Sequence, residues 1–171
     1  KEMGKPPREK SVKGRANPKG ISYLYLASDQ ETSIAEVKPL TNDYIIVGKF
    51  IPIEPLSLIH LRNPRIGSPF QIGDKLRYFL LHLDFLRILG NELSKPINLN
   101  SEPLEYLPLQ YLCEFIKNRG YDGVLYNSSL AKGFNIAIFN DNKLECVKTS
   151  SYTIKQIQYQ SERKSDKNVK L

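Results

Sequence analysis

The chain has 171 residues, of which 40% are hydrophobic and 25% charged, and this composition excludes a wholly disordered protein while allowing one domain with a substantial core. Its formal net charge is +7. That charge comes from the basic segments 1–19 and 161–171, because residues 20–160 contain fourteen basic and fourteen acidic residues, and a neutral body argues against a nucleic-acid-binding face.

The first half of the chain predicts a loop followed by short elements. Asp29 is expected to cap a short helix by accepting hydrogen bonds from its first turn, and Pro39 to end that helix. The elements are, in order, an extended loop over residues 1–19, a strand at Ile21–Ala27, the helix from Asp29 to Val37, a buried strand at Tyr44–Ile51, a second strand at Leu56–Leu61 and a loop at Asn63–Gln71.

The second half predicts two amphipathic helices and three strands. Asp74–Leu89 carries apolar residues at helical spacing, and Gly90 is expected to stop this helix. The next helix begins near Pro108 and ends at Gly120. The predicted strands are Gly123–Tyr126, Phe134–Phe139 and Tyr152–Tyr159.

Strands outnumber helices in this pattern, and they do not alternate regularly with them. An α+β fold is therefore predicted rather than a parallel α/β sheet. Residues 1–160 are expected to form a single domain, and residues 161–171 a basic, disordered tail.

Several classes of protein and site have no signal in the sequence. No run approaches the roughly 20 apolar residues of a membrane span, and a cytoplasmic protein is expected. Cys113 and Cys146 have no neighbouring Cys or His at metal-ligand spacing, so both are interpreted as packing residues and no metal site is expected. His60 and His82 are interpreted as structural, because the nucleophile elbow of a hydrolase is absent. Glycine-rich phosphate and dinucleotide motifs are absent as well.

Three separated polar residues are the candidates for chemistry. Arg15 lies in a Gly-Arg-x-Asn-Pro turn, where its side chain either reaches solvent or grips an anion such as a phosphate. Glu36 lies late in the first helix beside apolar residues, which would partly desolvate its carboxylate, although an exposed surface glutamate is the alternative. Ser128 and Ser129 occupy a turn before a strand, where hydroxyls commonly cap backbone groups.

Two tyrosines on the first strand are candidates for ligand contact. Tyr23 and Tyr25 are two residues apart, so they are expected on one face of the strand. Such a pair is ordinary core filling in many sheets. It is also a suitable platform for a nucleobase or a nicotinamide ring.

Taken together, these segments resemble the RES domain, a family named for its arginine, glutamate and serine. The resemblance covers roughly residues 10–150, with the motifs in the expected order. It rests on Gly14-Arg15-Ala16-Asn17-Pro18-Lys19-Gly20, Tyr23-Leu24-Tyr25-Leu26-Ala27, Ile34-Ala35-Glu36-Val37, Leu109-Gln110, Gly120-Tyr121-Asp122-Gly123-Val124-Leu125-Tyr126-Asn127-Ser128-Ser129, and Gly133-Phe134-Asn135 through Phe139.

The resemblance implies a fold similar to ADP-ribosyltransferases, with a twisted, split antiparallel sheet and flanking helices. It implies an enzyme that consumes NAD by phosphorolysis or hydrolysis of the nicotinamide–ribose bond, or an ADP-ribosyltransferase. Many members are toxins held inactive by an antitoxin protein, so such a partner is implied, and a homodimer is left open. A module that only binds nucleic acid remains the alternative from another class.

The resemblance also implies roles for individual residues. Arg15, Glu36 and Ser128 match the family's catalytic positions, and Tyr25 matches a pocket residue. The other expected substrate-binding residues are Tyr23, Asn17, Ser129 and Asn135, with Ser129 as the alternative serine. NAD is expected as substrate without a further cofactor, and the second substrate is left open between phosphate, water and a macromolecule.

One departure from the family pattern precedes Arg15. Members usually begin with a strand that carries another arginine, whereas residues 1–13 read here as a loop. That strand is expected either to be missing or to lie upstream of this sequence.

Overall fold

The computed structural model describes residues 3–64, 68–95 and 106–158. The predicted tail at 161–171 lies outside these residues. Short 3-10 turns occur at Arg8–Lys10, Gly73–Lys75 and Asp141–Lys143. The strands and helices are β1 (Leu24–Ala27), α1 (Gln30–Glu36), β2 (Tyr44–Pro52), β3 (Leu58–His60), α2 (Pro69–Ile72), α3 (Leu76–Ser94), α4 (Leu107–Asn118), β4 (Gly123–Asn127), β5 (Phe134–Ile138) and β6 (Leu144–Thr153).

The strands of the described residues form two separate sheets, and the helices are interspersed irregularly among the strands along the chain. The predicted α+β class is therefore confirmed. One sheet has four strands in the order β1-β5-β4-β3, and the other pairs β2 with β6. All pairings are antiparallel except that of β3 with β4, which is parallel. The likeness to the ADP-ribosyltransferase fold stays a prediction.

The core lies on one face of the four-stranded sheet, against the end of α3 and the inner side of α4. Alternation along the strands sends Val124 and Tyr126 of β4 to this face, and Ala137 of β5 packs beside them. The thiol of Cys113 on α4 is fully buried. Burial raises its pKa to about 12, so it remains a neutral packing group, as the sequence predicts.

The predicted buried strand at Tyr44–Ile51 and the predicted last strand at Tyr152–Tyr159 both need correction. Among the described residues β2 pairs with β6 alone, and none of its residues is fully buried; Tyr44 and Ile46 are exposed. β6 ends at Thr153 because its partner begins at Tyr44. Beyond that pair the chain turns through Asn42, which has a positive φ of 74°.

Gly90 does not stop α3, which continues to Ser94. Its role is instead a close approach between helix and strand, because a Cβ at this position would lie well inside van der Waals distance of the Leu61 carbonyl oxygen. Leu89 and Leu93 are buried beside it. The apolar residues in the first part of α3 are largely exposed, as Phe79 and Leu80 illustrate. Only the end of the helix therefore belongs to the core.

Replacing Gly90 with alanine tests this packing. Glycine to alanine in an ordinary helix interior stabilises by about 1 kcal/mol. Here the added methyl group must push α3 away from the Leu61 backbone, so we expect Gly90→Ala to lower the free energy of unfolding by about 1–3 kcal/mol. Urea unfolding of the two proteins measures the difference, and a more stable variant would contradict the close approach.

Candidate active site

The carboxylate of Glu36 is the point at which three elements of the structure meet. Its Oε1 accepts a hydrogen bond from the Ser128 hydroxyl at 2.7 Å and another from the Asn135 side-chain amide at 2.7 Å. Ser128 follows β4, and Asn135 lies in β5. Among the described residues no hydrogen bond involves Oε2, so this oxygen remains available to a ligand.

Glu36 owes its position to the short helix α1, of which it is the last residue. Asp29 caps this helix as predicted: its Oδ1 accepts from the Thr32 backbone N–H at 2.8 Å, and its Oδ2 accepts from the Thr32 hydroxyl at 2.9 Å. The expected apolar collar around Glu36 is wrong. The residue is exposed, because the chain leaves the helix there and Val37 faces solvent.

The structure distinguishes the two candidate serines. The Ser128 oxygen donates to Glu36 and also accepts from the backbone N–H groups of Leu130 and Ala131, both at 3.1 Å. These bonds fix the hydroxyl so that its proton points at the carboxylate. Ser129 is exposed and takes no part in this network. Ser128 is therefore the serine that the fold brings to Glu36.

Arg15 is buried and does not extend into solvent. It is 8% exposed, and its Nη1 donates to the Glu92 carbonyl oxygen at 3.1 Å in the last turn of α3. The guanidinium carbon lies 4.7 Å from the centroid of the Tyr106 ring. The last carbonyls of a helix lack intrahelical donors and carry partial negative charge, which explains why a cation binds there.

The loop that carries Arg15 is held by a buried glutamine and a buried asparagine. Gln110 of α4 donates from Nε2 to the carbonyl oxygens of Gly14 and Asn17, at 2.8 and 3.1 Å. Asn17 donates to the carbonyl oxygens of Val12, Pro18 and Ile21. Because Asn17 is 2% exposed, its predicted contact with substrate gives way to a structural role in the loop.

Tyr25 joins this loop to the four-stranded sheet while leaving part of its ring accessible. Its hydroxyl donates to Asn17 Oδ1 at 2.6 Å, and 44% of the residue is exposed. Gly14 permits this approach, since a Cβ there would lie 2.6 Å from the Tyr25 hydroxyl. Burial of the hydroxyl end raises the pKa of Tyr25, partly offset by a hydrogen bond from the Ala16 backbone. The phenol is neutral at ordinary pH.

Tyr23 does not join Tyr25 in a shared platform. It precedes β1, is buried in the core with its ring 4.8 Å from that of Phe139, and donates its hydroxyl to Glu114 of α4. Burial is the largest cause of its raised pKa, followed by the neighbouring Glu114. The even spacing predicted a common face, but the strand begins only at Leu24. Of the two interpretations, core filling is the correct one for Tyr23.

Tyr126 is a residue of this site that was not predicted. It is buried, it lies directly across from Asn135 in the β4–β5 register, and it precedes Ser128 by two residues. Burial raises its pKa most, the neighbouring Tyr25 and Glu36 raise it further, and Arg15 lowers it. The position two residues before Ser128 is the sequence signal that would have found it.

The site is built from hydrogen-bonding and ionic groups. Within residues 3–64, 68–95 and 106–158, no cluster of three His, Cys, Asp or Glu side chains has the geometry to hold a metal ion. The same ranges contain no helix that is both long and apolar enough to cross a membrane. What the arrangement offers is one anchored carboxylate, two neutral phenols on the sheet face that contains Ala137 of β5, and a buried cation.

Removing the amide of Gln110 tests the support of the arginine loop. In Gln110→Ala the Gly14 carbonyl loses its donor, and the Asn17 carbonyl keeps only the hydrogen bond from the Gly14 backbone N–H, so we expect the free energy of unfolding to fall by about 1–3 kcal/mol. Tyr111→Ala, at an exposed position on the same helix, is the matched control and should change stability by less than about 0.5 kcal/mol. Chemical denaturation of both variants makes the comparison. Equal stability of wild type and Gln110→Ala would contradict the assigned role.

The cap of α1 predicts a defined pH dependence. Hydrogen bonds from Ser28 and then Thr32 lower the pKa of Asp29. A lowered folded-state pKa means that the stabilisation is present above the unfolded value, about 4, and is lost as the pH falls through the folded value. We expect Asp29→Asn to unfold at lower urea than wild type at pH 7, and the gap to shrink below about pH 4. A gap that widens in acid would show that the charge does not stabilise the cap.

Comparison with known proteins supports the motif-based resemblance. The family model of the RES domain matches residues 3–160, which is most of the 171-residue chain. Searches among curated proteins and among solved structures each gave no match. The matched range contains Glu36, Ser128, Asn135 and the loop of Arg15, so the family assignment covers the whole site. The chain belongs to the RES domain family.

Proposed function

We propose that this protein is an NAD-consuming enzyme that cleaves the bond between nicotinamide and ribose. The observation that carries the proposal is the Glu36 carboxylate, whose Oε1 is held by Ser128 and Asn135 while Oε2 accepts no hydrogen bond from the described residues. Tyr25 and Glu36 both act electrostatically on Tyr126, and 44% of Tyr25 is exposed. The RES family is associated with NAD-related toxins, which supports NAD as the substrate.

The chemistry of this bond suits a fixed carboxylate. When the bond from the ribose carbon to the pyridinium nitrogen breaks, both electrons go to nicotinamide, which leaves as a neutral molecule. The ribose carbon then carries oxocarbenium character, and a negative group held nearby stabilises it directly or through the ribose hydroxyls. Hydrogen bonds from Ser128 and Asn135 position Glu36 before substrate arrives, so little reorganisation is needed during the reaction.

Arg15 and Tyr25 take supporting roles in this proposal. Tyr25 offers its partly exposed ring to the nicotinamide or the ribose, while its hydroxyl stays bound to Asn17. The guanidinium of Arg15 is buried against Tyr106 and Glu92. We therefore propose that Arg15 has two roles. Its charge creates a positive potential that favours binding of the NAD phosphates, and its bonds anchor the loop.

The second substrate of the proposed reaction is phosphate or water. Phosphorolysis gives nicotinamide and ADP-ribose 1″-phosphate, whereas hydrolysis gives nicotinamide, ADP-ribose and a proton. Depletion of NAD stops growth, so a toxin restrained by an antitoxin protein is the proposed biological setting. A cytoplasmic location accords with NAD as substrate and belongs to the same proposal.

Substitutions at Glu36 and at the two serines test the site. Glu36→Gln keeps the shape but removes the charge, and we expect NAD consumption to fall by about 100-fold or more. Ser128→Ala removes a hydrogen bond to a charged group worth about 1.5–3 kcal/mol, which corresponds to about a 10- to 100-fold loss of rate. Ser129→Ala is the matched control and should retain wild-type activity. The measurement is the rate of NAD loss at fixed enzyme concentration, with melting temperatures to confirm folding.

Ser129→Ala impaired as strongly as Ser128→Ala would contradict the assignment of the serine. Undiminished activity of Glu36→Gln would contradict the assignment of the carboxylate. A wild-type protein that leaves NAD intact in both phosphate and phosphate-free buffer would overturn the proposed function.

The products distinguish the proposed reaction from its alternatives. Incubation with and without phosphate separates phosphorolysis from hydrolysis, because only the former makes ADP-ribose 1″-phosphate. ADP-ribosyl transfer would leave label from adenylate-labelled NAD on a macromolecule. A nucleic-acid-binding module would bind DNA or RNA with a steep salt dependence that Glu36→Gln leaves unchanged.

A further inference from the structure

Tyr126 occupies the centre of the sheet face on which the Glu36 network is built. It lies directly opposite Asn135, and Asn135 in turn lies opposite Ala27 of β1. Residues directly opposite in an antiparallel pair share a face, with Cβ atoms about 5 Å apart. Ser128 lies two residues further along, directly after the end of β4. Tyr126 therefore adjoins both donors that hold Glu36.

A small residue separates Tyr126 from Tyr25. Ala137 of β5 pairs with Tyr25 of β1 on one side and with Val124 of β4 on the other. It lies two residues along β5 from Asn135, the partner of Tyr126. Ala137 is completely buried. Its side chain is only a methyl group, and Tyr25 and Tyr126 lie on the two strands that flank it. The two phenols thus belong to one surface.

The ring of Tyr126 is packed, but its hydroxyl takes no part in the packing. The residue is 6% exposed and belongs to the core cluster. Among the described residues, none donates to or accepts from its hydroxyl, whereas the hydroxyls of Tyr23 and Tyr25 bond to Glu114 and Asn17. The hydroxyl oxygen is not among the fully buried, unpaired side-chain atoms of the described residues, so it reaches accessible space at the site. A tyrosine whose ring fills the core while its hydroxyl stays accessible and unbonded can offer that hydroxyl to a ligand.

The charges around this hydroxyl determine what it can do. Glu36 acts on it as a negative neighbour and Arg15 as a positive one, and burial with the nearby Tyr25 and Glu36 holds its pKa well above the usual value. The phenol therefore stays protonated and serves as a hydrogen-bond donor. It is excluded as a general base at neutral pH.

We infer that the Tyr126 hydroxyl contacts the substrate, donating a hydrogen bond to an oxygen of the same ribose that Glu36 engages. This inference rests on the proposed function, since the ribose is that of NAD. The carboxylate accepts from the ribose while the phenol donates to it. Together they fix the sugar ring while the bond to nicotinamide breaks.

Two phenylalanine substitutions separate this role from packing. Tyr126→Phe removes only the hydroxyl, so we expect kcat/KM for NAD to fall about 3- to 10-fold, the effect of one lost hydrogen bond between neutral groups. Its melting temperature should stay at or above that of wild type, because the hydroxyl has no bond within the described structure to lose. Tyr23→Phe is the matched control: it loses the bond to Glu114, so it should melt at lower temperature and keep wild-type kcat/KM at 25 °C.

The measurements are steady-state NAD consumption and thermal melting of the three full-length proteins. Reduced kcat/KM in Tyr126→Phe with undiminished melting temperature supports the inference. If wild type consumes NAD and Tyr126→Phe does so equally fast, the inference is overturned and the proposed function stands. A lower melting temperature in Tyr126→Phe also overturns it, because the hydroxyl would then stabilise the fold itself. If wild type does not consume NAD, both proposals fall together.

Discussion

Two hydrogen bonds to one oxygen atom organise the candidate site. Ser128 and Asn135 both donate to Oε1 of Glu36, and they reach it because β4 and β5 pair in a register that puts Tyr126 opposite Asn135. A shift of one residue in this register would send Asn135 to the other face of the sheet. The geometry of Glu36 therefore depends on the pairing of two strands about 90 residues away in the chain.

The arginine loop is a second unit built on the same sheet. Gln110 and Asn17 supply the donors that its carbonyl groups need, and Tyr25 ties the loop to β1. Arg15 extends from this loop to the end of α3. The cation is thus buried and bonded at the end of α3. Hydrogen bonds hold each unit, and the sheet face between them carries the two tyrosines.

The order of the sequence motifs predicted which residues belong to the site better than it predicted how those residues are arranged. Arg15, Glu36 and Ser128 were expected as catalytic residues and Asn135 as a substrate-binding residue. Glu36 contacts Ser128 and Asn135 directly, whereas Arg15 bonds to the end of α3. Asn17 and Tyr23 were expected to bind substrate, yet both are buried and bonded within the protein. A residue's type and spacing do not reveal which end of its side chain faces the core. Tyr126 was overlooked for the same reason, because an aromatic residue inside an apolar strand resembles ordinary packing.

Local sequence signals predicted two helix ends correctly. Asp29 capped its helix, and Gly120 ended α4 with a positive φ of 86°. Gly90 misled because glycine serves both as a helix stop and as a site of close packing, and only the tertiary contact with Leu61 distinguishes these roles. The end of β6 also depends on a distant part of the chain, because β6 ends where its partner strand β2 begins.

A crystal structure of Glu36→Gln protein with NAD would test the central claim most directly, because this variant should bind substrate but turn it over slowly. The account predicts that a hydroxyl of the nicotinamide ribose lies about 2.6–3.2 Å from the side chain at position 36. It also predicts that the sugar rests over the face that carries Tyr25 and Tyr126. NAD bound at another surface, or no NAD at saturating concentration, would contradict the account.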